Sequence, residues 1–275
     1  MICLDCDGFA TWRQQARQLL AHGIDPADVS WEGADDLFFG GEGLPEGAGP
    51  FLLRVPRSLL DLLKQAACFI GPQRWSLLYE VLWRVAHGDR TAMLAGDSLG
   101  SELHRRIKQV RREIHHVHAF LRFTQRGELF TAWHVPAHDV LAEVGEHFIG
   151  RMGQQRWLIA TPTDGLAFDG QSLDYRRECP PEWRALAHGE ADAGQALWLA
   201  YYQHIFNPAR LNPKAMQGHM PERFWQHLPE GPLIPQLMSQ ARLGKQRDGQ
   251  AEGVAARKGK AILSARVVPT TPGRG

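Results

Sequence analysis

The clearest periodicity in the chain runs through Leu103, Ile107, Val110, Ile114, Val117 and Leu121. Alternating steps of four and three residues place all six on one face of a long helix. Upstream, Trp12, Ala16, Leu19 and Leu20 share one face of a helix over 10–21, which His22-Gly23 ends. Residues 2–5 read as a short strand, and 32–50, rich in Gly, Asp and Glu, as an exposed loop. A further helix opens near Pro56-Arg57-Ser58 and carries Leu59, Leu60, Leu63, Ala67 and Ile70. Gly71-Pro72 breaks it, and Trp75, Leu78, Leu82 and Val85 form the next.

The period changes near Phe123. Arg122-Phe123 and 129–135 flank a glycine turn and read as a hairpin, and 157–161 with 166–169 read as a second one. A helix over 137–148 crosses between them. Residues 176–192 read as loop, and a helix opening near Gln195 carries Leu197, Trp198, Tyr201 and Ile205 forward. The expected fold is α+β: mainly helical with a small antiparallel sheet, in a single domain over 1–239. From 240 to 275 a disordered basic tail is expected. Its Arg and Lys residues are opposed only by Asp248 and Glu252, and it lacks the apolar surface to offset its ordering entropy.

The 275 residues carry a net charge of +1, so global charge does not point to nucleic acid and any such reading needs local clustering. No apolar run has membrane-spanning length, and MICLDCDGFA has no basic, then long hydrophobic, leader pattern. A soluble cytoplasmic protein without membrane contact is the expectation. Local clustering does appear on the long helix. Arg105, Arg106, Lys108, Arg111 and Arg112, then Arg122 and Arg126, flank its apolar stripe, and Glu113 is the only acid within 103–126. Such a face is either solvated or a phosphate-binding surface. A merely soluble helix interleaves signs for i,i+4 pairing, which favours the second reading here.

The segment 201–230, YYQHIFNPARLNPKAMQGHMPERFWQHLPE, is the densest in chemistry. Asn207-Pro208 suits a helix end, and Asn212-Pro213 a cap with proline at the first helical position. Asn207, Asn212, Arg210, Lys214 and Arg223 have side chains that contact phosphates or base edges in nucleic-acid complexes. Tyr202, Phe206 and Trp225 are either core or stacking platforms for unpaired bases.

No catalytic centre is legible. Cys3 and Cys6 make a lone C-x-x-C, short of the four ligands a structural zinc needs. Cys68 reads as a small core residue, and Cys179 precedes Pro180 in a loop. His115, His116 and His118 cluster, and His134 and His138 have metal-pair spacing, but Pro136 intervenes and no His-Glu-x-x-His is present. Asp139, Glu143 and Glu146 read as solvated acids on one helix face. Nucleophile-elbow, Walker and dinucleotide-binding glycine patterns are absent, and neither a metal nor another cofactor is expected.

Phe206-Asn207-Pro208-Ala209-Arg210-Leu211, Met216, Met220-Pro221, Trp225 and Leu228-Pro229-Glu230 resemble a bacterial family of DNA-metabolism or DNA-repair proteins whose activity is unassigned. Val110-Arg111-Arg112-Glu113-Ile114-His115, Ala119-Phe120-Leu121-Arg122-Phe123, and Trp157 with Thr161-Pro162 and Asp169-Gly170 resemble further blocks, so the similarity spans about 1–235. The resemblance implies a domain that accompanies a radical SAM protein and is sometimes fused to a uracil-DNA glycosylase-like domain. The C-x-x-x-C-x-x-C cluster motif is missing from this chain, so radical chemistry would belong to the partner.

The resulting expectation is a DNA-repair accessory protein that binds nucleic acid through Arg105, Lys108, Arg111, Arg112, Arg122, Asn207, Arg210, Asn212, Lys214 and Arg223. Its partners would be DNA, a radical SAM protein and a uracil-DNA glycosylase-like protein. Two alternatives stand beside it: a DNA-acting enzyme of glycosylase or lyase type with an unrecognised site, and an interaction scaffold that never touches DNA.

Overall fold

The computed structural model describes residues 1–31, 43–47, 49, 54–189, 193–207 and 211–242. Chain contacts divide it into two compact units, Met1–Glu190 and Ala191–Gly275.

The first unit begins with strand β1 (Ile2–Cys3) and helix α1 (Phe9–Ala21), followed by β2 (Val29–Ser30), which pairs parallel with β1. Helices α2 (Arg57–Ala67) and α3 (Arg74–Ala86) follow, and then α4 (Ser98–Phe120). Most of the apolar positions that predict these helices bury; Leu60 and Ile114 are half-buried, and Ile70, expected on the α2 stripe, is exposed beyond the end of α2 at Ala67. Trp12, Ala16 and Leu19 of α1, Leu59 and Leu63 of α2, and Leu78 and Val81 of α3 form one core with Leu103 and Ile107 of α4. Trp12 stacks on Trp75 with ring centroids 6.3 Å apart, and the Tyr79 hydroxyl donates to the Ile24 carbonyl at 2.7 Å.

Helix α4 starts five residues before its first periodic leucine because Asp97 caps it. Asp97 Oδ1 accepts the Leu99 and Gly100 amides at 2.9 and 3.2 Å. The Arg84 guanidinium donates to both oxygens of the same carboxylate. At 23 residues, α4 is about 35 Å long, enough to serve two cores. Its first half closes the core above. Val110 and Val117, with Leu121 just beyond, enter a second core built on the sheet.

That sheet has the order β3 (Thr124–Arg126), β4 (Leu129–Trp133), β5 (Arg156–Ala160), β6 (Gly165–Phe168), β7 (Leu173–Arg176). It is mostly antiparallel, as the hairpin signals predict. The β4–β5 pairing alone is parallel, because helix α5 (Leu141–Met152) carries the chain back to the starting end of the sheet. Val144 and Phe148 of α5 pack with Trp157, Ile159, Leu166 and Phe168 of the sheet.

Three local expectations need correction. The crossing helix begins at Leu141, not 137, since the preceding residues are tied elsewhere: the Ala137 amide to Glu113, the Asp139 amide to the Cys68 carbonyl. Residues 176–192 are not all loop. Pro181 sits at the first turn of helix α6 (Pro181–His188), whose Trp183 lies against Gly165; a Cβ there would come within 2.6 Å of the indole. Strand β7 also escaped the reading.

The second unit holds α7 (Ala193–Ile205), α8 (Pro213–His219), a 3-10 helix (Glu222–His227) and α9 (Leu233–Arg242). Phe224, Leu228, Ile234, Leu237 and Ala241 are buried. Helix α9 extends past the expected start of the tail at 240. Residues 243–275 of that tail, and most of the expected 32–50 loop, lie outside the described residues. No described helix is long and apolar enough to cross a membrane.

Candidate functional site

Helix α4 displays four exposed cations, Arg105, Lys108, Arg111 and Arg112, of which Arg105 is paired with Glu102. Between Leu103 and Phe120 the only carboxylate is Glu113, and it is buried, accepting the Ala137 amide at 2.8 Å. The exposed surface of these turns therefore carries cations without an exposed acid. Arg111 is held in place across the helix pair, its Nε and Nη2 donating to Gln65 Oε1 of α2 at 3.0 and 2.7 Å.

The helix divides its basic residues by role. Arg105 is exposed but engaged bidentately by Glu102, both contacts at 2.6 Å, which holds the Glu102 carboxyl down at about 2. Arg106, expected only as one of the flanking cations, is buried. It donates to Glu102 at 2.8 Å and to the Gln73 and Pro72 carbonyls at 3.2 and 3.1 Å, and lies over the Phe69 ring at 5.1 Å. Gln73 is the one described non-glycine residue with positive φ (53°), so Arg106 braces a strained turn between α2 and α3. Arg122 is half-buried and donates to the Ala119 carbonyl at 2.9 Å, closing the end of α4.

A second constellation, missed in the sequence, lies where α5 leaves the sheet. Asp139 is not a solvated helix acid: Arg74 and Arg177 both donate to its Oδ2, at 3.0 and 2.7 Å. Arg177 also donates to the Tyr175 hydroxyl at 3.2 Å, and that hydroxyl donates to Asp164 Oδ2 at 3.1 Å. Thr161 donates to the other oxygen of Asp164. Burial pushes the Asp164 carboxyl up, opposed by the Thr161 and Tyr175 hydrogen bonds, and pushes Tyr175 up to about 12. Asp164 is buried with both oxygens engaged, so the chain of bonds fastens β6, β7 and the α5 lead together. Of the other two acids grouped with Asp139, Glu143 pairs with Lys64 at 3.1 Å and Glu146 is exposed on α5.

The four thiols and the spaced pair His134 and His138 also have defined surroundings. All four cysteines are free thiols, and burial, then Asp7 and Asp5, pushes Cys6 up to about 12, far from a reactive thiolate. Cys68 is likewise at about 12, raised by burial and by Glu143 and Asp139. His138 Nδ1 accepts the Ile70 amide at 3.3 Å while its ring lies tilted against Phe69, centroids 4.6 Å apart, and His134 is buried after β4. Among the described residues no group of three or more His, Cys, Asp or Glu is placed to hold a metal ion.

In the second unit the end of α7 and helix α8 line an open pocket of about 460 Å³. Tyr202, Phe206, Met216 and Met220 contribute to its apolar lining, and Asn207 and Asn212, both exposed, to its polar lining. Asn212 caps α8 as its spacing predicts, its Oδ1 accepting the Ala215 amide at 3.1 Å with Pro213 in the first turn. Lys214 is exposed on α8, and Arg223 is exposed with its guanidinium 4.6 Å over the Phe224 ring. Of the three aromatics read as core or stacking platforms, Tyr202 and Phe206 are half-buried and line this pocket, and Trp225 is half-buried with its indole N–H donating to the Met220 carbonyl at 3.1 Å; Phe224 is core and Tyr201 faces solvent. Arg210 lies outside the described residues.

No curated protein and no solved structure matches the chain. Residues 72–230 match one family, described as a domain of unknown function, DUF4130, and this span takes in α4, the sheet, the pocket and the Leu228-Pro229-Glu230 block. Because the match covers more than half of the chain, the protein belongs to the DUF4130 family.

Proposed function

We propose that the protein is a DNA-repair accessory factor that binds nucleic acid, with α4 supplying the phosphate-binding surface. One observation carries this reading: Lys108, Arg111 and Arg112 are exposed on turns of α4 whose single carboxylate, Glu113, is buried. Interleaved acids, the usual signature of a solvated helix face, are missing from that surface. Arg111 gains further from its anchor on Gln65, since a pre-positioned guanidinium loses less freedom when it meets phosphate. Lys214, Arg223, Asn207 and Asn212 add donors in the second unit, and Arg210 belongs to the same proposal. Arg105 and Arg122 contribute less, being engaged by Glu102 and by the end of α4. On this reading a radical SAM protein performs the chemistry, with a uracil-DNA glycosylase-like protein as a further partner. Both follow from the resemblance alone.

The test is titration of single-stranded and duplex DNA at several salt concentrations, comparing wild type with Lys108→Ala and Arg112→Ala. Each lost phosphate contact is expected to lower the magnitude of the log–log salt slope by about one. Unchanged affinity and slope in folded variants would overturn the surface and favour the scaffold reading. Base release or strand cleavage by the purified chain alone would favour the enzyme reading.

A further inference from the structure

The pocket lined by α7 and α8 has the make-up of a site for one flat, heteroaromatic group. Its volume, about 460 Å³, falls within the roughly 300–1,000 Å³ of small-molecule pockets. Two aromatic rings, Tyr202 and Phe206, and two thioethers, Met216 and Met220, supply polarizable walls for a π-face. A purely apolar occupant would need nothing more, yet polar edges are present. Asn212 spends its Oδ1 on the α8 cap, which directs its chemistry at the pocket to its amide N–H donors. His219 adds an exposed imidazole able to donate or accept. Lys214 is exposed on the same short helix, the sign of charge that suits a phosphate attached to the occupant.

We infer that this pocket receives a single unstacked nucleobase from a single-stranded or locally opened nucleic acid. The inference rests on the nucleic-acid reading above and deepens it from phosphate binding to base capture. Stacking against aromatic and thioether walls holds any base by its face, while the amide and imidazole edges meet its hydrogen-bonding rim. Taking one base out of the stack costs least where the strand is unpaired or damaged, so the pocket selects such sites over intact duplex.

The experiment uses the full chain and a single-stranded oligonucleotide carrying one 5-iodouracil, irradiated in the long ultraviolet and mapped by peptide mass spectrometry. DNA binding is followed in parallel by fluorescence anisotropy. The expected adduct lies on Tyr202, Phe206, Met216, His219 or Met220. Ala215 lines the pocket and is exposed, so Ala215→Trp fills it without disturbing a core. That variant is expected to lose about tenfold in adduct yield on these residues, the scale of one base-stacking interaction. Met216→Ala, which removes a wall, is expected to lose yield in the same direction. Binding with adducts only elsewhere, or a yield unchanged in Ala215→Trp, overturns base capture but leaves phosphate binding standing. The pocket would then be assigned to an apolar peptide segment. An oligonucleotide that fails to bind at low salt overturns both.

Discussion

Trp198 donates its indole N–H to Glu230 at 2.9 Å, and the accepting carboxylate is buried. The two residues lie on either side of the pocket-forming segment in sequence, so this bond fixes α7 to the Leu228-Pro229-Glu230 block. Trp198→Phe keeps an aromatic ring and removes the donor. It is expected to destabilise the second unit by about 1–3 kcal/mol, the cost of taking one partner from a buried acceptor. Chemical denaturation, followed by the fluorescence of the remaining tryptophans, measures it.

Arg106 and Gln73 make a coupled pair. Arg106→Ala removes three charge-assisted hydrogen bonds and is expected to cost about 2–3 kcal/mol. Gln73→Val, a branched residue at positive φ, is expected to cost about 1–2 kcal/mol, and Gln73→Gly close to nothing. If Arg106 braces the strained turn, Gln73→Gly recovers part of the Arg106→Ala loss in a double-mutant cycle, and strict additivity contradicts the coupling. Neither change should alter the salt dependence of DNA binding, which separates Arg106 from Arg112.

Gly100 admits the Leu94 backbone against the first turn of α4: a Cβ there would lie 2.1 Å from the Leu94 carbonyl oxygen. Gly100→Ala is therefore expected to destabilise the first unit by about 1–3 kcal/mol, despite alanine's better helix propensity. A melting temperature equal to wild type would show that the 90–97 segment moves aside freely.

Asp164 gives a pH signature with a definite sign. Its folded carboxyl lies above the ordinary 3.8 because burial penalises the charge. The unfolded chain then releases this proton first. The contribution of Asp164 is greatest below pH 3.8, falls as pH rises through the raised folded value, and is level beyond it. Asp164→Asn removes this one descending component. The melting temperature of wild type minus that of the Asp164→Asn variant should shrink from acid pH towards neutrality and then flatten. A difference that grows with pH would mean the carboxylate is stabilised as an anion.

The helical half of the fold was legible because its apolar spacing is long and regular. Trp12 to Leu20, Leu59 to Ala67, Trp75 to Val85 and Leu103 to Val117 bury at most of their periodic positions, with Leu60 and Ile114 half-buried and Ile70 left exposed past the end of α2. Boundaries were less legible where long-range bonds set them. Asp97 extends α4 at its start, and the Asp139–Cys68 and Ala137–Glu113 bonds delay α5. Strand β7 alternates too briefly to register, and α6 hides behind Cys179-Pro180-Pro181, which reads as a breaker although Pro181 opens the helix. Charge on α4 was visible as a cluster, but its division was not. That Arg106 is buried while Arg112 is exposed depends on where the α2–α3 turn passes, which no local pattern encodes. The Asp139–Arg177–Tyr175–Asp164 chain likewise joins residues brought together only by the sheet.

The single parallel pairing within the five-stranded sheet dictates how that sheet can assemble. β3 and β4 close through a tight turn at Gly127, and β5, β6 and β7 close as neighbours, so each ribbon is complete using local chain alone. The β4–β5 seam must wait until the chain has passed through α5, a non-local closure of the slow kind. A chain stalled at that point holds two finished ribbons, each with an apolar inner edge open to a neighbouring molecule. Damage to α5 would therefore surface first as self-association during synthesis, with both ribbons still intact.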